Sequence, residues 1–237
     1  MNMANFGRKD GNAQFLNVAN SEKLQRLQTY THLHALMGKP DDHPSVKGQK
    51  AALQDRIVEA AKKNQRLAGD QTQTRAMLHI IGQGQATQLS AEIRRHAEIF
   101  AKKADDLMNE GKAIVDSVLG ADNYDREVAG EIAQFISRRT QTPEGMAEVG
   151  ALYKSRSDVA SVIYTRPHFL LGVSEELHRT MVATAVSKFA PEGSALLNEG
   201  RSLGEKTKNF EKVVADTHAS FYDADVVAKA EASRVEV

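Results

Sequence analysis

Between Leu89 and Leu119 the apolar and small residues fall on a single line. Ile93, Ala97, Phe100, Ala104, Leu107, Gly111, Ile114 and Val118 are separated by alternating steps of four and three. Such spacing averages 3.5 residues and puts all eight side chains on one stripe of a helix. Ile93, Phe100, Leu107 and Ile114 form a large edge, and Ala97, Ala104, Gly111 and Val118 a mostly small one. Small residues let a second helix come close, and a 3.5-residue period winds the pair left-handed.

A second stripe of the same design follows Pro191. Leu196, Leu203, Phe210 and Thr217 step by seven, beside Gly200, Thr207, Val214 and Phe221. The two stripes are natural partners, within one chain or between copies. Together they predict an all-α fold, an elongated multi-helix bundle with two long coiled-coil-like helices at about 89–119 and 191–221. A chain of 237 residues can bury a sizeable core. The expected division is an N-terminal arm at 1–19, one helical domain over 20–221 and a helical or frayed tail at 222–237.

Punctuation residues divide the rest. Ser21 is an N-cap type for a helix expected to reach Met37, with Gly38 closing it. Pro40 and Pro44 mark a loop, and Ser45 can cap the next helix, where Val46, Leu53, Ala60 and Leu67 step by seven. Asn64 lies in that seam, where a polar group fixes register when it is paired. Gly82-Gln-Gly84 follows an apolar pentad and has the outline of a phosphate-binding turn. No βαβ pattern surrounds it, so the expectation is a break before the long helix. Asp122 caps a helix carrying Tyr124, Val128, Ile132, Phe135 and Ile136. Thr142 and Pro143 start another at N-cap and N1. That helix runs to about Thr165 with a kink near Ser155–Ser157, and Pro167 stops it. Ser174 caps a helix bearing Leu177, Met181, Ala185 and Phe189.

Charge and composition exclude several functions. The chain carries 31 basic and 31 acidic residues, so it lacks the surplus of a generic nucleic-acid or membrane-surface binder. The doublets Arg94-Arg95 and Lys102-Lys103 could follow a phosphate backbone, but interleaved Glu92, Glu98, Asp105 and Asp106 fit a solvated helix face better. No cysteine is present, which removes disulfides, thiolate catalysis and cysteine-based metal sites. No run is long and apolar enough to span a membrane, and residues 1–20 lack a signal-peptide core. The expected location is the cytoplasm at synthesis.

Catalytic signatures are few. Glu175 and His178 form a Glu-x-x-His pair, the spacing that puts two metal ligands on one face in di-iron bundles. A working site needs a second such pair, and the sequence has none. Acidic residues at a helix start account for Glu175 and Glu176 equally well. No nucleophile elbow or P-loop occurs. The segment from Tyr153 to Phe169 interleaves aromatics with Arg156, Arg166 and His168, which suits a protein interface.

The resulting expectation is a non-enzymatic structural or oligomerisation protein with no cofactor. It would be a subunit of a larger assembly, such as an internal, adaptor or scaffold-like protein of a bacteriophage particle. Its expected contact residues are Ile93, Ala97, Phe100, Ala104, Leu107, Gly111, Ile114, Tyr153, Tyr164, Arg166, Phe169, Leu203, Phe210 and Phe221. A helical-bundle metal enzyme using Glu175 and His178, and a helical nucleic-acid-associated protein, are the alternatives.

Overall fold

The computed structural model describes residues 21–67 and 69–233. The arm expected at 1–19 lies outside the described residues, as do the last four residues of the tail. Among the described residues every regular element is helical. In chain order they are α1 (Glu22–Leu27), α2 (Tyr30–Met37), α3 (Lys47–Leu67), α4 (Arg75–Leu119), α5 (Arg126–Arg139) and α6 (Pro143–Ser155). Then come α7 (Ser157–Thr165), α8 (Glu175–Phe189), α9 (Pro191–Thr207), α10 (Phe210–Phe221) and α11 (Ala224–Ala232). Short 3-10 turns lie at Pro40–Asp42, Pro44–Val46, Ala121–Asn123 and His168–Leu171.

The residues group into two compact units. Unit 1 holds the chain up to Lys102 and again from Ser202, and unit 2 holds Lys103–Arg201.

Local chemistry sets most helix ends. Ser21 Oγ accepts from the Leu24 N–H, Thr142 Oγ1 from Gly145 and Ser174 Oγ from Leu177. Each satisfies an otherwise unpaired donor of a first turn. Some ends differ from expectation. The first helix divides at Gln28–Thr29, where Thr29 is extended and its hydroxyl donates to the Arg26 carbonyl. Asp125, not Asp122, caps α5, accepting from Glu127 and Val128. Ser45 lies within a 3-10 turn that leads into α3. The kink near Ser155 is a full break, with Arg156 extended between α6 and α7.

Unit 1 packs α1, α2, α3, α10 and α11 with the first part of α4. Leu24, Leu27, Leu33, Ile57, Ile93 and Phe100 are fully buried in it. Phe100 meets Phe210 edge-on, ring centroids 6.0 Å apart at 86°. Burying such a side chain contributes about 1.5–3 kcal/mol, and the edge-to-face arrangement adds to it. Arg94 meets Glu211 through two bonds of 3.0 and 3.1 Å, so one cation of the basic doublets already has a carboxylate. The expected 191–221 helix is two helices. Asn209 lies between them and donates to the Leu36 carbonyl at 3.3 Å, while Lys206 reaches Ala35 at 3.0 Å. Thr207 bonds back to the Leu203 carbonyl, a habit that bends helices.

The expected break at Gly82–Thr87 does not occur, and α4 passes through it. Gly82 is where the end of α10 arrives: a Cβ there would lie 2.2 Å from the Phe221 carbonyl oxygen. Asn64 donates to that same oxygen at 3.3 Å, and the next turn's Asp223 N–H donates to His79 Nδ1 at 2.9 Å. Thus α3 and α4 together hold the α10–α11 turn. Asn64 does pair its amide across helices, though to a backbone carbonyl. The tail from Ala224 is helical and docked by Val227, 2% exposed.

His79 makes this clamp sensitive to acid. Burial holds its imidazole below the ordinary value, with the Arg75 charge acting the same way and Asp223 opposing. The unfolded chain therefore takes up a proton near pH 6.5 that the folded chain refuses. Protonation would also cost Nδ1 its role as acceptor from Asp223. Stability is complete above about pH 6.5 and falls as the pH drops below it. Urea midpoints at pH 7.5 and 5.5 should differ more for the native chain than for His79→Gln. Equal differences would remove His79 as a source of acid sensitivity.

Unit 2 packs α5, α6, α7 and α8 with the second part of α4 and most of α9. Its core includes Val115, Ile136, Val149, Ile163, Leu171 and Met181. Here α4 and α9 run antiparallel through small residues. A Cβ on Gly111 would lie 2.8 Å from the Gly193 carbonyl oxygen, and one on Gly193 would lie 2.8 Å from that of Gly111. A Cβ on Gly200 would meet the Ala104 oxygen at 2.8 Å. The expected stripe slides at its end: Val115 and Leu119 are buried, Ile114 is partly buried and Val118 is 37% exposed. An undistorted helix drifts about 20° per heptad from a 3.5-residue repeat. Over the length of the stripe that drift brings the neighbouring residue to the core.

Candidate functional site

The segment after Pro167 presents apolar side chains outward on a tightly held turn. Phe169 is 68% and Leu170 47% exposed, while the next residue, Leu171, is fully buried and anchors the turn. Gly172 ends the turn at φ 66°, a left-handed conformation that glycine adopts freely. The hydroxyl of Thr140, which caps the end of α5, donates to the Leu171 carbonyl at 3.2 Å. The Val173 N–H donates to the His168 carbonyl at 3.3 Å. His168 also stacks edge-on against Phe169, centroids 5.9 Å apart.

Beside this turn runs a shallow groove of about 280 Å³. Gly130, Ala133 and Ser137 of α5 line it together with Arg138, Arg166 and Leu170. Neither arginine has an ion-pair partner among the described residues. Arg139, the neighbour of Arg138, is engaged with Glu148 at 3.3 Å.

Two tyrosines near the end of α7 are engaged by hydrogen bonds. Tyr164 donates to Asp116 at 2.6 Å. Burial first, then that bond, push its hydroxyl up to about 12, so Tyr164 stays a protonated donor. Tyr124 and Thr165 bond hydroxyl to hydroxyl. Of the expected contact residues in this segment, Arg166 lines the groove and Phe169 is exposed on the turn, while Tyr164 is engaged with Asp116. Tyr153 is 7% exposed and belongs to the core.

The remaining expected contact residues are filled from within the chain. Ile93, Phe100, Ala104, Leu107, Leu203, Phe210 and Phe221 are each at most 2% exposed. Gly111 is buried, and Ala97 and Ile114 partly so. The seam closes inside each unit instead of waiting for another copy.

The Glu175–His178 pair does not converge. His178 Nε2 donates to the Ile163 carbonyl at 2.8 Å, and Glu175 pairs with Arg179 at 3.1 Å. Among the described residues no group of three or more His, Asp or Glu side chains could hold a metal ion.

One polar chain has no sequence signature. Lys50 and His43 are fully buried in unit 1. Lys50 Nζ lies 2.6 Å from His43 Nδ1, and His43 Nε2 lies 3.1 Å from Ser202 Oγ. His43 Nδ1 also lies 3.4 Å from the Lys39 carbonyl oxygen. The chain therefore works as a buried bracket, tying the loop after α2 to α3 and to the end of α9. Gly38, at φ 80°, allows the loop to turn there, and a Cβ on it would lie 2.9 Å from His43. Residues so distant in sequence show no spacing by which the contact could be read.

Among the described residues no helix is long and apolar enough to cross a membrane. No protein family, curated protein or solved structure matches this chain.

Proposed function

We propose that the protein is a non-enzymatic structural protein that works by holding protein partners at the Phe169–Leu170 surface of unit 2. One observation carries this reading: two adjacent large apolar side chains are held outward on a fixed turn, beside two arginines without carboxylates. Exposing such a pair costs the folded chain the gain from burying it. Aromatic and arginine side chains together are the usual anchors of protein interfaces. A turn fixed before binding loses little entropy on binding. The narrower expectation of a bacteriophage particle rests on composition alone.

A photo-crosslinking amino acid at position 169, with exposed Lys154 as the control position, tests this. The expected result is crosslinking at 169 to one protein, or to a second copy, near stoichiometry, with little at 154. Equal and sparse labelling at both positions would overturn it.

A further inference from the structure

The outward face of α5 carries charges that its own helix does not pair. Glu127, Glu131, Gln134 and Arg138 are all exposed and step by four, three and four, opposite buried Ala129 and Ile136. The two carboxylates are one turn apart, a like-charge spacing that mildly destabilises a helix. Arg138 stands seven residues beyond Glu131, about 10 Å along the axis at 1.5 Å per residue, out of ion-pair reach. Neither carboxylate nor Arg138 has an ion pair among the described residues. A solvated face that stabilised its own helix would alternate opposite charges at i, i+4 instead.

The face is acidic at one end and basic at the other. Turned end for end it complements itself. We propose that the partner at this surface is a second copy of the chain, with α5 packed antiparallel on α5 across a two-fold axis near Gln134. This rests on reading the Phe169–Leu170 surface as a protein-binding one. Two-fold pairing sets Arg138 of each copy against the Glu127–Glu131 end of the other, so both charge sets are used twice. Gly130, Ala133 and Ser137, beside the charged row, keep the helices close. Phe169 and Leu170 supply apolar burial, which exposed ion pairs by themselves do not replace.

Sedimentation of the full chain over a micromolar concentration series tests the pairing. The native chain should reach twice its 26.0 kDa mass, and less readily at high salt. Arg138→Glu and the double variant Glu127→Arg/Glu131→Arg should each remain single, with unchanged helical circular dichroism. Mixed together, they should recover a species of doubled mass, because the reversed charges meet again. A native chain that stays single, or a mixture that fails to pair, overturns the proposal. If the native chain stays single while position 169 crosslinks a different protein, self-pairing falls and partner binding stands. If neither is seen, both fall.

Discussion

Gly111→Leu should destabilise the protein by more than about 3 kcal/mol, beyond the usual range for an overpacked core. Glu110→Ala, one residue away and exposed, should change it by less than about 0.5 kcal/mol. At position 111 even a Cβ would lie 2.8 Å from the Gly193 oxygen and 3.0 Å from the Leu197 backbone nitrogen and Cγ. Backbone atoms cannot swing aside as a side-chain tip can. The three further carbons of leucine would therefore push α9 off α4 and open the core around Val115. Denaturant melts of the two variants compare them directly. Similar midpoints would mean that α4 and α9 do not approach through this glycine.

The second large effect is expected in unit 1, from a single methyl group. Gly82→Ala places a Cβ 2.2 Å from the Phe221 carbonyl oxygen, so the α10–α11 turn must lift away. Lifting costs the Asn64 bond to that oxygen and the Asp223 bond to His79. A loss of about 3 kcal/mol follows from overpacking and the broken bonds. Gly84→Ala, two residues on, meets nothing within 4 Å. There alanine's helix propensity should stabilise α4 by about 0.5–1 kcal/mol. Opposite signs from two identical substitutions in one helix is the expected thermal-melt result. If both variants are stabilised, the close approach at Gly82 does not exist.

These two positions show why part of the fold could be read from the chain and part could not. Periodicity is a local property, so Ile93, Phe100, Leu107, Leu203 and Phe210 declare their buried side without reference to any partner. Caps are local too, and Ser21, Thr142 and Ser174 act where their side chains predict. Gly82-Gln-Gly84 is the opposite case. Two glycines in a row of three weaken any helix, and by propensity alone a break is the correct reading. What overrides it is the Phe221 carbonyl, which comes from far along the chain and needs the space a side chain would fill. The tail end of the long stripe departs for a geometric reason, because a straight helix does not follow a 3.5-residue repeat indefinitely.

The candidate surface was legible in outline. Aromatics interleaved with arginines between Tyr153 and Phe169 mark the segment as unusual, but sequence does not separate the side chains that face inward from those that face out. Tyr153 went to the core, Tyr164 to Asp116, and Phe169 to solvent. The groove beside it needs α5, whose contribution is made of Gly130, Ala133 and Ser137, residues with no signal of their own. The Lys50–His43–Ser202 bracket was invisible for the same reason.

By itself, then, the sequence determined an all-helical protein, several of its helix starts and the partnership of its two long stripes. Those features follow from backbone spacing, capping and apolar periodicity, which act within a few turns. Only the tertiary structure decided that the chain gathers into two units, that the seam closes within one copy, and which side chains are left facing outward. Those outcomes depend on backbone meeting backbone across long separations, at Gly82 and Phe221 and at Gly111 and Gly193.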